Sequence, residues 1–288
     1  MGEKYTIKSW RCPTEKKPDF SSRFDFEPTT KFFDQLSFIG DPAVCCFLLE
    51  TTEGLVLIDA MNPEQRYMDA IVKGIRDTGY ELTDLKHVVI SHGHGDHYGL
   101  ADELRKASGA KIYLSEGDHE LAKKPMGPFA PMDYPVDVYL TDGMDLCFGD
   151  TVIHCVETPG HTDHCMSFIF PVTDEGRPHM ASLWGGTGLN YGVNMFTYLK
   201  SVDKFELACA DYRVDVEISN HPPVDNGIER LNVVRNITNG VPNPFVIGQE
   251  NMHYYFNKFR TMCAEALKIW PDGIARPQMP GAPEKEKD

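Results

Sequence analysis

Long apolar runs are missing from this sequence of 288 residues. No stretch approaches the ~18 consecutive apolar positions that a membrane-spanning helix requires. The opening segment, MGEKYTIKSWRCPTEKKPDF, has no apolar stretch after its basic residues, so it does not resemble a secretory signal peptide. We therefore predict a cytoplasmic protein that does not span a membrane.

Basic residues are too few to balance the acidic ones. The chain has 28 Lys and Arg residues against 43 Asp and Glu residues, which gives a net charge of −15 at pH 7. Such a chain repels phosphate backbones and anionic lipid surfaces, and no basic stripe offsets this repulsion. We expect neither nucleic acid nor a membrane surface as a partner.

Paired cysteine motifs are also missing, since none of the eight cysteines forms a C-x-x-C pair. In a chain of this size without a secretion signal, such cysteines are most simply reduced thiols. Four of them lie in apolar, strand-like runs, where we expect small buried side chains: Cys45, Cys46, Cys155 and Cys165.

The order of predicted elements indicates an α/β fold. Hydrophobic residues make up 41% of the chain, an ordinary globular share. Strands and helices alternate in both halves, and each half begins with several strands in succession, which favours two packed sheets with helices outside. We predict an N-terminal arm at residues 1–35, a single domain at 36–270 and a flexible C-terminal tail at 271–288. Within the domain, residues 125–135 (PMGPFAPMDYP) predict a long loop.

Residues 91–97, SHGHGDH, carry the strongest chemical signal. They follow a short buried strand, and His92 and His94 lie two positions apart, so in an extended chain they project to the same side. Asp96 and His97 are adjacent and suit a second point a few ångströms away. Three imidazoles and one carboxylate interleaved with glycines indicate a metal site rather than a polar loop.

Four ligands are too few for two catalytic metal ions, because each zinc requires three protein ligands and an open position. His161 lies in TPGHT, on a Pro-Gly turn after the predicted strand at 152–157. His221 lies in ISNHPP, after the predicted strand at 214–219. Functional loops gather at strand ends, so we predict that these two histidines complete the ligand set.

The motif H-x-H-x-D-H, a later PGHT and a late histidine resemble the metallo-β-lactamase superfamily of dinuclear metallohydrolases. The resemblance implies an αββα sandwich with two Zn²⁺ ions per chain at one edge and a hydroxide that bridges them as the nucleophile. It assigns His92, His94 and His161 to one zinc and Asp96, His97 and His221 to the other, the ligand set of the third subclass of metallo-β-lactamases.

One position in LWGGTGL, residues 183–189, departs from other branches of that superfamily. Enzymes similar to glyoxalase II have a metal-bridging aspartate in a G-D context, and Gly186 stands where it would fall. We therefore predict that the bridging carboxylate is absent and that the α-carbon of Gly186 approaches the space between the metals.

Three residues near the predicted site have two possible interpretations each. Asp59, which ends the run LVLID, either supports the metal loop by hydrogen bonds or lies at a helix N-terminus. Thr162 either braces the turn that bears His161 or caps it. Phe129 in the long loop either covers an apolar ligand or packs within its own loop. Asn190 and Tyr191 are predicted polar contacts to substrate.

The function that these residues favour is hydrolysis of a small molecule with a cyclic amide, lactam or lactone carbonyl, β-lactams included. Asp96 would orient the attacking water or protonate the leaving group through it, unless zinc stabilises an anionic leaving group instead. The alternative is a thioester or phosphoester hydrolase, against which Gly186 counts. An iron-dependent redox protein and a non-catalytic metal binder of the same fold are further alternatives.

Overall fold

The computed structural model describes residues 24–126, 129–236 and 241–277. Within these ranges two sheets pack face to face. The strands of the first sheet are β1 (Thr30–Phe33), β2 (Leu36–Gly40), β3 (Cys45–Thr51), β4 (Gly54–Ile58), β5 (Leu85–Val89), β6 (Lys111–Ser115) and β7 (Val138–Leu140). Those of the second are β8 (Asp145–Phe148), β9 (Thr151–Glu157), β10 (Met166–Asp174), β11 (Arg177–Leu183) and β12 (Val216–Ile218).

Helices cover the outer faces of both sheets. They are α1 (Gln65–Asp77), α2 (Gly95–Tyr98), α3 (Ala101–Ser108), α4 (Glu116–Ala122), α5 (Met195–Asp211), α6 (Pro222–Asp225), α7 (Gly227–Arg235) and α8 (Met252–Ile269). None of the helices in the described part of the chain is both long and apolar enough to cross a bilayer.

Strand order explains how distant loops meet at one edge. The first sheet runs in the order β1-β2-β3-β4-β5-β6-β7, and β4 to β7 are parallel. The second runs in the order β12-β11-β10-β9-β8, with β11 and β12 parallel. Parallel strands deliver their carboxyl ends to the same edge of a sheet, where loops gather side chains from separate parts of the sequence.

Three apolar clusters hold the layers together. Between the sheets, Phe47 and Ile58 pack in one cluster with Phe168. A second cluster lies between the first sheet and helices α1 and α3, and a third lies under α5 and α8, where Trp184 stacks on Phe259 with ring centroids 5.4 Å apart. Four layers result, which confirms the predicted αββα sandwich.

The ends of the predicted domain differ from expectation. Residues 30–33 form β1, although an irregular arm was predicted through residue 35, because Phe32 and Phe33 are buried in the inter-sheet cluster. The part of the arm at 1–23 and the part of the tail at 278–288 lie outside the described residues. Residues 271–277 are described, and the Ala275 N–H donates to the Val193 carbonyl (2.9 Å), so this part of the predicted tail packs on the domain.

The four cysteines expected in the interior are buried there and unpaired with other cysteines. Burial raises the pKa of the Cys155 thiol and that of the Cys165 thiol to about 12. These side chains therefore act as small hydrophobic groups, as predicted.

A cluster of charged side chains is buried beneath α6. Arg230 donates to Glu217 (2.6 Å), and the Lys258 ammonium donates to the Val224 carbonyl (2.7 Å) and lies 3.7 Å from Glu217. Asp225 is buried beside them, and burial raises its pKa to about 7 against the attraction of Arg230 and Lys258. Between about pH 4 and pH 7, the folded chain therefore holds a proton at Asp225 that the unfolded chain has released.

We expect stability to fall as the pH rises through the window from about 4 to about 7, where the unfolded carboxyl is ionised and the folded one is not. Asp225→Asn should remove this cost, so at pH 8 its free energy of unfolding should exceed that of the wild type by about 2–4 kcal/mol. Below pH 4 the gain should vanish. Urea denaturation at pH 4 and pH 8 measures the free energy of unfolding of the variant and of the wild type. Glu229→Gln, at an exposed position, is the control. The same difference between variant and wild type at the two pH values would contradict the prediction.

Candidate metal centre

The motif SHGHGDH leaves the carboxyl end of β5 and enters α2. Its glycines are required by close packing on both sides. A Cβ at Gly93 would collide with the Asp118 backbone carbonyl, and one at Gly95 would collide with the Phe129 ring. The loop therefore fits only because Gly93 and Gly95 carry no side chain.

His92, His94 and His161 form the first of two groups of possible ligands. His161 Nε2 lies 3.0 Å from His94 Nδ1 and 3.2 Å from His92 Nε2. His161 follows the end of β9 in the second sheet, whereas the other two follow β5 in the first. The group is thus assembled across the two sheets.

Asp96, His97 and His221 form the second group. The Nε2 atoms of His97 and His221 are 3.2 Å apart, and Asp96 Oδ2 lies 3.6 Å from the former and 3.8 Å from the latter. Burial acts to raise the pKa of Asp96, but the neighbouring imidazoles outweigh it and hold the pKa below its ordinary value. The carboxylate is therefore ionised. Within the described residues, these are the two groups that the structure offers to a metal ion.

The orientation of the imidazoles fits bound cations. His161 Nδ1 lies 2.6 Å from the Gly188 carbonyl, and His221 Nδ1 lies 2.8 Å from the Ala43 carbonyl. A carbonyl oxygen only accepts, so each Nδ1 carries the proton and each Nε2 presents a lone pair. Nε2 of His161 faces Nε2 of His92, and Nε2 of His221 faces a carboxylate, contacts that repel until a cation lies between them.

Burial also sets the protonation that metal binding needs. It lowers the pKa of His92 and of His161 well below the ordinary value, and neighbouring imidazoles lower both further. Both rings are therefore neutral at pH 7, and neutral imidazole is the form that binds a metal.

Asp59 is fully buried beneath the second group. Its carboxylate accepts hydrogen bonds from the Ser91 N–H (2.8 Å), the Ser91 hydroxyl (3.0 Å) and the Asn220 amide (2.9 Å), and it lies 2.8 Å from His97 Nδ1. Helix α1 begins only at Gln65, so Asp59 is not at its N-terminus. Of its two sequence interpretations, this geometry favours hydrogen-bonding support.

Sequence reasoning missed several supporting residues. The Thr162 hydroxyl donates to Asp118 Oδ2 (2.8 Å), so Thr162 braces its turn against a residue that the sequence did not single out. Burial raises the pKa of Asp118 to about 6, although hydrogen bonds from Thr162 and Gly93 act to lower it. Asn220 was missed as well. The available signal was position alone, since Asp118 follows β6 and Asn220 precedes a predicted ligand.

The predicted substrate contacts lie at different depths. The Phe129 ring packs against Gly95, between two of the possible ligands. A Cβ at Gly188 would lie 3.6 Å from His161 Cε1 and 3.7 Å from Asn190 Oδ1, so Asn190 is close to the first group. Tyr191 is 67% exposed and lies at the surface beside this segment.

Gly186 lies directly against His161. A Cβ there would collide with His161 Cβ and come within 2.8 Å of His161 Cγ. The Gly186 carbonyl accepts hydrogen bonds from the Trp184 indole (2.6 Å) and the Tyr198 hydroxyl (3.0 Å), which fixes the backbone in place. The glycine is thus next to the first group, and the structure has no room there for a side chain.

Comparison with known proteins agrees with this geometry. A family model described as the metallo-beta-lactamase superfamily matches residues 39–174. The uncharacterised protein YobT of Bacillus subtilis is 30% identical over 136 residues, which cover 44% of this chain and 56% of YobT. A hydroxyacylglutathione hydrolase of Francisella philomiragia is 26% identical over 184 residues, 63% of this chain and 62% of that protein. The chain thus spans less than two thirds of the length of these relatives.

Solved structures show the same fold over most of the chain. The subclass B3 metallo-beta-lactamase BJP-1 of Bradyrhizobium japonicum has a TM-score of 0.72 at 23% identity, covering 85% of this chain and 96% of that one. Native FEZ-1 metallo-beta-lactamase of Legionella gormanii has a TM-score of 0.75 at 22% identity, with coverages of 85% and 98%. Residues 39–174 therefore match the metallo-beta-lactamase superfamily, and most of the chain shares the four-layer metallo-beta-lactamase fold.

Proposed function

We propose that the chain is a metal-dependent hydrolase that holds two zinc ions, one in each ligand group. The observation that carries the proposal is the convergence of six donor atoms in two groups, within each of which the atoms lie no more than 4.8 Å apart. Three protein ligands per ion leave a coordination position open, which is the arrangement of catalytic rather than structural zinc sites.

Zinc held there would supply two kinds of chemistry: it lowers the pKa of water from ~15.7 to about 7 and polarises a carbonyl. The chain's own residues set the conditions for this chemistry. His161 and His221 are fixed by hydrogen bonds from Nδ1 to backbone carbonyls, which keep Nε2 unprotonated. Asp59 holds His97 in the same way. We assign Asp96 to the second ion, where its ionised oxygen also orients the attacking water.

We propose a small-molecule substrate that reacts at a cyclic amide or lactone carbonyl, with β-lactams included. Gly186 supports this choice, because a site without an extra carboxylate has one negative charge fewer and is more electrophilic, which suits attack on lactam or ester carbonyls. The likeness in fold to metallo-beta-lactamases agrees with it. The net charge of −15 disfavours polyanionic nucleic acid substrates, and a cytoplasmic location stays part of the proposal.

A thioester substrate is the second candidate. Its support is that several hydroxyacylglutathione hydrolases match by sequence, one of them over 63% of this chain. The segment at 183–189 separates the two candidates, because the resemblance to glyoxalase II-like enzymes implies a bridging carboxylate at the position of Gly186. Relative rates on lactone and thioester substrates of equal size therefore decide between them.

The deciding experiment measures metal content and substrate class on the same protein. We expect two zinc ions per chain after saturation, counted by elemental analysis, and hydrolysis of lactams or lactones in a panel that also holds thioesters and phosphodiesters. Phosphodiesters should be the poorest substrates. Binding of one ion or none would remove the dinuclear site, and efficient phosphodiester cleavage with carbonyl compounds untouched would overturn the substrate class.

Phe129 is expected to contribute apolar contact to the substrate, since its ring lies against Gly95, which stands in the sequence between the possible ligands His94 and Asp96. Phe129→Ala should raise KM for substrates with an apolar substituent about tenfold, the equivalent of 1.4 kcal/mol of lost contact, and should leave kcat nearly unchanged. Leu207→Ala, at an exposed position on α5, is the control. An unchanged KM would assign Phe129 to packing of its own loop.

A further inference from the structure

Asp118 is a buried carboxylate on a surface helix, close to both ligand-bearing loops but absent from the ligand groups. It lies in the first turn of α4, and its N–H donates to the Ser115 side chain that caps this helix (3.3 Å). Its side chain is almost fully buried. Burying an ionisable carboxyl is costly unless hydrogen bonds compensate it, and at Asp118 these bonds come from the two ligand-bearing loops.

A single oxygen of Asp118 joins the two loops. Oδ2 accepts a hydrogen bond from the Gly93 N–H (3.0 Å) and another from the Thr162 hydroxyl (2.8 Å). Gly93 lies between His92 and His94, and Thr162 directly follows His161. The carboxylate therefore bonds to the sequence neighbours of all three residues of the first group.

The two loops need such a connection because they leave different sheets. His94 follows β5 and His161 follows β9, yet their ring nitrogens lie 3.0 Å apart. A backbone hydrogen bond from the Met166 N–H to the Ser91 carbonyl (2.8 Å) also links the sheets, but it holds the residue before His92, the first possible ligand. On the far side of His92, the Gly93 backbone rests on the first turn of α4, where a Cβ would collide with the Asp118 carbonyl.

We propose that Asp118 is a positioning residue for the first ligand group: by holding Gly93 and Thr162 on one oxygen, it sets the separation of His94 and His161. This inference rests on the proposed metal-binding function. Outer hydrogen-bond partners of metal ligands contribute about 10- to 100-fold to metal affinity, and Asp118 would act at one remove, through the loops rather than the rings.

The test is zinc affinity, measured by competition with a chromophoric chelator in a His221→Ala background that leaves the first group intact. In this background, Asp118→Ala should weaken zinc binding about 10-fold or more. Asp118→Asn keeps an acceptor oxygen and should restore most of the affinity. Glu120→Ala, an exposed position on the same helix, should have no effect.

Cobalt substitution and a second substitution separate positioning from general stability. The visible spectrum of Co²⁺ in the first group should change with Asp118→Ala, whereas a merely structural role would leave it unmoved in the folded fraction. Thr162→Val should weaken binding too, and the double variant should lose less than the product of the two single effects, because both act through one contact. Where Asp118→Ala does not fold, Asp118→Asn and Thr162→Val carry the same comparison.

Failure of this inference differs from failure of the proposed function. If the wild-type chain binds no zinc, the metal-dependent function is wrong and this positioning role falls with it. If the wild-type chain binds two ions and the Asp118 variants keep wild-type affinity and an unchanged cobalt spectrum, only the positioning role of Asp118 is overturned.

Discussion

His161→Ala is expected to remove the ion held by the first group and to lower the rate of hydrolysis by more than about 100-fold. Loss of an outer hydrogen-bond partner of a metal ligand already costs up to about 100-fold, and loss of a ligand should cost more. His161 supplies the only donor of this group from the second sheet, since His92 and His94 both come from the loop after β5. Two adjacent imidazoles cannot replace it, because zinc sites with open positions require three protein ligands. Metal content should fall from two ions to one.

His164→Ala is the matched control for this substitution. His164 lies three positions further along the chain, its side chain is 51% exposed, and it pairs with Glu157 at 2.9 Å. Exposed pairs of this kind contribute little to stability, so this variant should keep both ions and nearly full activity. If His161→Ala retained both ions and full activity in a preparation free of wild-type protein, the first ligand group would be wrongly assigned.

The ligand groups were predictable because each predicted ligand follows a strand. The motif after β5 and the histidines after β9 and β12 all lie at carboxyl ends of strands, and the packing of two sheets brings those ends to one edge. The supporting contacts were not predictable in this way. Asp118 forms hydrogen bonds to residues 25 or more positions away, and Asn220 to residues 123 or more positions away, and a single sequence holds no signal for such pairs.

The strands missed at the start of the first sheet have a similar explanation. β1 and β2 are short and are joined by Asp34 and Gln35, two polar residues that are typical of a loop. Asp34 bonds to the end of β10 and to the turn that follows it: the Asp34 N–H donates to the Thr173 carbonyl (2.8 Å), and the Asp34 side chain accepts from the Gly176 N–H (2.7 Å). The hairpin is therefore held by residues about 140 positions away, a long-range packing effect that overrides local propensity.

The position of the missing carboxylate gives the other large expected effect. Gly186→Asp would supply the residue that glyoxalase II-like enzymes carry there, but we expect it to destroy the first ligand group rather than to create a bridging ligand. The reason is steric: the new Cβ meets His161 Cβ and Cγ, and the Gly186 backbone is held by hydrogen bonds from Trp184 and Tyr198. Neither the imidazole nor the backbone can yield without breaking a buried contact, and overpacking of this kind costs about 1–3 kcal/mol or more.

Gly188→Ala is the control for this prediction, because it lies two positions away in the same segment and its added Cβ comes no closer than 3.6 Å to His161. It keeps the backbone carbonyl that accepts from His161 Nδ1. We expect Gly188→Ala to bind two ions and Gly186→Asp to bind at most one, with a lower melting temperature and carbonyl hydrolysis reduced at least about 100-fold. The opposite result, two ions and new phosphodiesterase activity in Gly186→Asp, would mean that the segment can shift to admit a bridging carboxylate. In that case the glycine would not by itself determine the reaction class, and nothing in the segment at 183–189 would favour carbonyl substrates over phosphodiesters.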